Sequence, residues 1–353
     1  MAPIAQRINH ARLMRGFSLQ DLSDKLDHKV SRQALHKYEK GEVEPDNVMI
    51  QELANALNVK PDYFYRDHPE SIRDGEITFR KLSSLRKKEQ NRIIETAKDL
   101  LERYLELEQI IGIRRGGENP IADIAISGKS DVEIAAQKLR EAWNLGTDPL
   151  YNVIELLEDQ GIKVIEIAGD DSIDGFSTWI GNSIPVIVLN QSKGNVLDRY
   201  RFTILHELGH LFLSFDGFSE KEREKLCHYF AGAMLLDKRA IEKELGLKRN
   251  RIGLQELAAV KKQYGISIQA TMYRLRELNV ISAASLRSFF QFMSQAGYRQ
   301  DESKLATYNG EEKALRFDQL IGQAIAEEYI TISKAASLKN QRLSEFRKHF
   351  LLG

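Results

Sequence analysis

The sequence predicts a mainly helical protein with one small β-sheet. An all-helical N-terminal domain, a central α+β domain and a helical C-terminal region are expected. Three observations predict this. Apolar residues recur at helical spacing through residues 4–66 and again from 196 onward. Three short β-rich runs, 162–167, 176–180 and 185–189, lie between turn signals at Asp174-Gly175 and Gly181-Asn182. With 353 residues, the chain exceeds the usual size of one domain. The expected divisions are 1–67, a connector and linker at 68–120, a central domain at 121–245 and a C-terminal region at 246–353.

In the N-terminal part, Ile4, Ile8 and Ala11 mark a first helix. Ser18, with Asp21 three residues later, starts a second whose apolar face is Leu19, Leu22 and Leu26. A third runs from Ser31 to Gly41. Pro45 breaks the chain, and Ile50, Leu53, Ala54 and Leu57 form a fourth. Pro61 opens a last turn, with Tyr63 and Phe64 closing the core. Residues 80–112 read as one long charged helix with a broken apolar stripe through Leu82, Leu85, Ile93, Ile94, Leu100, Leu101 and Leu105. A connector packed on its neighbours is expected there in preference to a dimerisation helix, because the stripe is no sustained heptad. Gly112 ends it, and Gly116, Gly117 and Pro120 suggest a linker.

Composition narrows the function classes. The 42% hydrophobic and 29% charged residues suit an ordinary globular core. One cysteine, Cys227, permits no intrachain disulfide. No charged-then-apolar leader opens the sequence and no apolar run nears the ~20 residues of a membrane helix. A cytoplasmic setting without membrane attachment is expected. The 51 basic and 51 acidic residues cancel, but residues 1–40 hold eight Lys/Arg against four acids, a local balance of 8 − 4 = +4. That is a modest patch suited to phosphates.

The segment Arg15-Gly16, Ser18, Leu22, Leu26, Val30-Ser31-Arg32-Gln33-Ala34-Leu35 and Tyr38-Glu39-Lys40-Gly41, completed by Pro45, Leu53-Ala54 and Leu57-Asn58-Val59, resembles the Xre/lambda-repressor type of helix-turn-helix. The resemblance implies that the helix after Ser31 enters the major groove of an operator. Ser31, Arg32, Gln33, His36 and Lys37 are then its DNA-facing residues, with Arg32 suited to guanine and Gln33 to adenine. Leu19 stands where the family commonly has a phosphate-contacting glutamine, and Gln20 partly substitutes. A homodimer on a two-fold site is expected.

The central part opens with two helices, about 131–144 and 149–160, before the β-rich runs. The strongest chemical signal follows at His206-Glu207-Leu208-Gly209-His210. Four residues apart on a helix, both imidazoles reach one zinc ion from the same face, and Glu207 projects beside them as a base. A catalytic zinc needs a third protein ligand. Ser219 and Glu222 form a capping box, and Glu220 lies in the first turn, where acids complement the helix dipole. Glu224 lies deeper in that helix, on the face of Cys227, His228 and Ala231, and is the expected ligand. His228 is expected to orient a ligand, with a ligand role or a packed core histidine as the other readings. Cys227 reads as a small core residue.

Residues 150–240 resemble the ImmA/IrrE family of metallopeptidases. The carrying residues are Arg201-Phe202-Thr203-Ile204-Leu205 before the His206–His210 motif, and then Glu224 to Ala231. Cys227 replaces a usual alanine, His228 a usual asparagine or aspartate, and Leu235-Leu236-Asp237 stands near a usual leucine-rich end followed by proline. The resemblance implies a gluzincin-like zinc site, with Glu224 as third ligand and Glu207 catalytic. The region 246–353 reads as helical. Within it Gly265–Arg276 and Ile330–Ala336 resemble further helix-turn-helix pieces, expected to be structural or partner-binding. The function expected is a DNA-binding transcriptional regulator whose zinc endopeptidase cleaves a repressor, antitoxin or similar regulator, in a stress-response or toxin-antitoxin setting. The alternative is an operator-binding regulator or antitoxin in which the peptidase fold is a non-catalytic sensor or interaction module.

Overall fold

The computed structural model describes residues 3–66, 85–113, 116–169, 173–181 and 183–350. Leu82 and the start expected for the long helix, most of the connector's first half, and Asn182 of the second turn signal lie outside them. The chain forms two compact units, one built within residues 1–115, 180–182 and 315–353 and the other within 116–179 and 183–314. No helix among the described residues is long and apolar enough to cross a membrane.

The first unit begins with α1 (Pro3–Met14), α2 (Leu19–Lys25), α3 (Arg32–Lys40), α4 (Asn47–Leu57) and a 3-10 turn, Pro61–Tyr65. Helices as short as α2 and α3 are marginal alone, so packing and caps must hold them. Leu22, Leu26 and Leu35 are buried with Ile8, Leu53 and Phe64 in one apolar cluster. The side chains of Ser18, Ser31 and Asp46 accept from the backbone N–H three residues on, at 3.1, 3.2 and 2.7 Å. Each such cap contributes about 1 kcal/mol. Asp21 completes the Ser18 box, and its hydrogen bonds from Ser18 hold its carboxyl below the usual range. Gly41 ends α3 in the left-handed region at φ 72°, where a side chain would be strained.

The long helix is α5 (Lys87–Ile111). It packs on α1, where Arg7 Nη1 donates to Glu102 at 2.5 Å with both side chains at most one-tenth exposed.

The second unit holds α6 (Lys129–Ala142), α7 (Val153–Asp159), β1 (Lys163–Ile167), β2 (Gly175–Ile180) and β3 (Ile184–Asn190). Then come α8 (Leu197–Phe212), α9 (Glu220–Leu235), α10 (Lys238–Glu244), α11 (Leu254–Tyr264), α12 (Ile268–Glu277) and α13 (Ala283–Gln295). The sheet order is β1-β3-β2. Strand β3 pairs in parallel with β1, with Lys163 opposite Val186 and Ile167 opposite Asn190. It is buried along nearly its whole length, as a central strand covered on both faces should be. One apolar cluster joins α6 to α12 with the sheet, through residues such as Val132, Ile154, Ile187, Leu205, Phe230 and Leu275.

The reading of 246–353 as helical, with turn signals at Gly265 and Asn309-Gly310, places a break at 309–310 but misses its extent: residues 299–315 form no helix. Two buried carboxylates pin this strap. Glu302 accepts from the N–H groups of Ile268 and Gln269 at 2.8 and 2.9 Å, at the start of α12. Lys261 Nζ donates to it at 3.2 Å. Glu312 accepts from Val153 and Ile154 at 2.8 and 3.0 Å, at the start of α7, and pairs with the fully buried Arg201. Carboxylates complement the unsatisfied N–H groups of helix starts. Here each fixes an extended segment that has no periodic core of its own.

The first unit closes with α14 (Arg316–Ala326), α15 (Ile332–Leu338) and α16 (Leu343–Phe350). Leu320, Ile321, Ala335, Ala336 and Phe346 bury against Tyr104 and Leu107 of α5.

Candidate metal centre

The centre lies on α8 and α9 and depends on how closely they pack. At Gly209 an added Cβ would stand 3.2 Å from Phe230 Cδ1 and 3.3 Å from both Cα and Sγ of Cys227. Glycine therefore lets the two helices approach, and the fully buried Cys227 faces it from α9 as a small core residue. Opposite this contact, His206 and His210 reach Glu224. His206 Nε2 lies 3.1 Å from Glu224 Oε2, and His210 Nε2 lies 3.1 Å from Glu224 Oε1. The two imidazole nitrogens are themselves 3.1 Å apart.

These separations bear on zinc. Zn–N and Zn–O bonds near 2.1 Å, directed tetrahedrally, put neighbouring donors about 3.4 Å apart. Donor atoms of the right chemistry from three residues therefore converge at nearly that spacing. Glu222 is engaged elsewhere: its Oε2 accepts from Ser219 N at 2.9 Å in a capping box that starts α9.

Glu207 is buried on α8 between the histidines. Ser177 Oγ donates to its Oε2 at 2.9 Å from the edge strand β2. The same face of β2 carries Trp179, whose Nε1 donates to Leu211 O at 3.2 Å and whose ring stacks near Phe212. Strand β2 thus lies along α8 and fixes the Glu207 carboxylate. Ser177 carried no sequence signal: a small polar residue at an alternate position in a strand reads as solvent-facing.

His228 is exposed, so it is not a packed core histidine. Its Nδ1 lies 2.6 Å from Glu224 O. A carbonyl only accepts, so the Nδ1–H of His228 is the donor. Its ring centroid lies 4.4 Å from that of His206. Donor atoms of His206, Glu224 and His228 fall within 4.8 Å of one another. Beside this group a cavity of about 1100 Å³ opens, lined among others by Phe202, Thr203, His228, Tyr273 and Tyr308. Its walls carry both signs of charge, with Arg199 and Lys225 facing a lining that includes Asp174 and Glu277.

In the first unit, Gln20, Ser31, Arg32, Gln33, His36 and Lys37 are all exposed on α2 and the start of α3. Gln20 Nε2 also donates to Asp24 at 2.7 Å. The basic patch is narrower than the sequence implied. Arg7 pairs with Glu102, Arg12 with Glu39 and Lys29 with Glu52. Arg15 caps α4 by donating to Leu57 O and Asn58 O at 2.6 and 2.8 Å. Lys25, Arg32, Lys37 and Lys40 are exposed and form no ion pair among the described residues.

Sequence comparison agrees with this division. Residues 8–64 match the helix-turn-helix family, and residues 157–276 match the peptidase M78 family, described as the IrrE N-terminal-like domain. No curated protein matches the chain. The second match contains all of α8 and α9 and ends within α12. A helix-turn-helix module at 8–64 and an IrrE N-terminal-like domain at 157–276 thus stand on one chain, which has the build of a DNA-binding regulator with a peptidase-like domain.

Proposed function

We propose that this regulator is also a zinc-dependent endopeptidase that cuts a regulatory protein, such as a repressor or an antitoxin. One observation carries the reading: the donor atoms of His206, His210 and Glu224 approach one another to 3.1 Å. Bound there, zinc supplies Lewis acidity and an acidified water. Glu207 then serves as the base. Oriented by Ser177, its carboxylate accepts the proton of the attacking water and passes it to the departing amide nitrogen. His228 acts as a positioning residue by packing its ring against His206. The cavity beside His228 is where a stretch of the substrate chain would lie. In the first unit, α3 reads operator bases, with Arg32 and Gln33 carrying sequence preference and Lys37 holding phosphate. A homodimer on a two-fold site and a cytoplasmic setting complete the proposal.

The same cavity favours a second reading, in which the unit senses a ligand without catalysis. Glu207→Gln separates the two. It keeps the side chain's size and both histidines. On the enzyme reading, this variant folds, holds zinc and binds DNA like the parent, but leaves a tagged co-expressed partner uncut. On the sensor reading it regulates like wild type, and that result would exclude proteolysis.

A further inference from the structure

The helix pair α15–α16 repeats much of the local construction of α2–α3 in the N-terminal DNA-binding module, although its second helix starts two residues sooner after the first helix's cap. In that module Ser18 caps α2 and Asp27, nine residues later, turns the chain in the left-handed region at φ 51°. In the C-terminal part Thr331 caps α15 by accepting from Lys334 N at 3.2 Å. Asn340, again nine residues later, turns the chain at φ 52°. Five residues after each cap stands a small buried residue, Ser23 or Ala336. The fourth residue of each following helix is its buried anchor, Leu35 in α3 and Phe346 in α16. In this register Ser344 takes the place of Gln33, and Arg347 and Lys348 take the places of His36 and Lys37.

Charge follows the same register. Residues 334–348 hold five Lys/Arg and one acid. Lys334 pairs with Glu106 and Lys339 with Asp318. Arg342, Arg347 and Lys348 are exposed and make no ion pair among the described residues. The helix pair α11–α12 is a contrast. It too turns at a left-handed residue, Gly265 at φ 62°. Yet its second helix buries Thr271, Met272, Arg274 and Leu275, and Arg274 donates to Glu133 at 2.6 Å. What α12 leaves accessible, Tyr273 among it, lines the cavity beside His228, whereas α16 keeps an exposed basic face.

The C-terminal helices are also fixed to the first module. Arg66 Nη2 donates to Ser337 Oγ at 2.6 Å, Ser337 Oγ donates to Asp62 at 3.0 Å, and Arg103 donates to Leu338 O at 2.7 Å. We propose that α15 and α16 form a second DNA-contacting helix-turn-helix, with Arg342, Arg347 and Lys348 meeting duplex phosphates beside the first module. This rests on the DNA-binding reading of the first module and extends the contacted surface beyond it.

The test uses the full chain and a labelled mixed-sequence DNA duplex several helical turns long, with affinity followed by anisotropy against salt. Each phosphate contact contributes about 0.9 to the slope of log K on log salt. Arg342→Ala/Arg347→Ala/Lys348→Ala should flatten the wild-type slope by about 2 to 3. It should leave the unfolding temperature unchanged, because all three side chains are exposed. Arg342→Lys/Arg347→Lys keeps the charge and should keep the slope. A wild-type slope in the triple alanine variant, with Arg32→Ala/Lys37→Ala flattened in parallel, would overturn the second site and leave the first standing. A wild-type chain that binds the duplex with no salt dependence would overturn both.

Discussion

Gly209→Ala tests whether the α8–α9 contact sets the ligand spacing. The new Cβ would stand 3.2–3.3 Å from Phe230 Cδ1 and from Cys227 Cα and Sγ. Carbon contacts are favourable at about 3.5–4.0 Å, so the helices must part by a few tenths of an ångström. The Cys227 Cα is backbone and yields only if α9 moves. Two effects compete. Alanine favours a helix interior over glycine by about 1 kcal/mol, whereas overpacking a filled core costs about 1–3 kcal/mol. The net loss is then up to about 2 kcal/mol, or a fall of up to roughly 4–8 °C in unfolding temperature for a unit of this size. The metal site should suffer more. Glu224 on α9 and the histidines on α8 would separate beyond the ~0.2 Å that zinc geometry tolerates. Chelator competition should show zinc affinity falling by about tenfold or more, equivalent to at least 1.4 kcal/mol. A higher unfolding temperature with unchanged zinc affinity would refute the reasoning, since only the propensity gain would then remain.

Two further outcomes follow from buried polar contacts. Ser177→Ala removes the hydroxyl that donates to Glu207 and should slow partner cleavage with zinc content unchanged; a loss of zinc would mean that β2 holds the ligands instead. Glu312→Gln strips the fully buried Arg201 of its counter-charge and should destabilise the second unit by about 3–5 kcal/mol, read by denaturant unfolding, whereas a change below about 1 kcal/mol would show that the strap is dispensable.

The parts of the site legible in the sequence were those that follow a helical period. His206 and His210 share a face because they are four residues apart, and Glu224 could be favoured over Glu222 because Ser219 already claimed the latter for its cap. Helix starts at Ser18 and Ser31 were equally legible, because a cap acts on its own next turn. What escaped was everything that acts across the fold. Ser177 reaches Glu207 from a strand 30 residues upstream. Glu302 and Glu312 satisfy distant helix starts, and a lone carboxylate in an irregular stretch carries no mark of its partner. Similarly, the charge count of residues 1–40 could not show that Arg7, Arg12, Arg15 and Lys29 serve the protein's own carboxylates and carbonyls.

The central claim, a zinc centre on α8 and α9, meets its most direct test in the metal content of the purified chain. About one zinc per chain is expected. It should be lost in His206→Ala or His210→Ala and weakened in Glu224→Ala. Glu222→Ala should retain it and lose only a helix cap, about 0.5–2 kcal/mol. A chain that purifies without zinc and takes up none on titration, or one whose zinc survives both histidine substitutions, would contradict it.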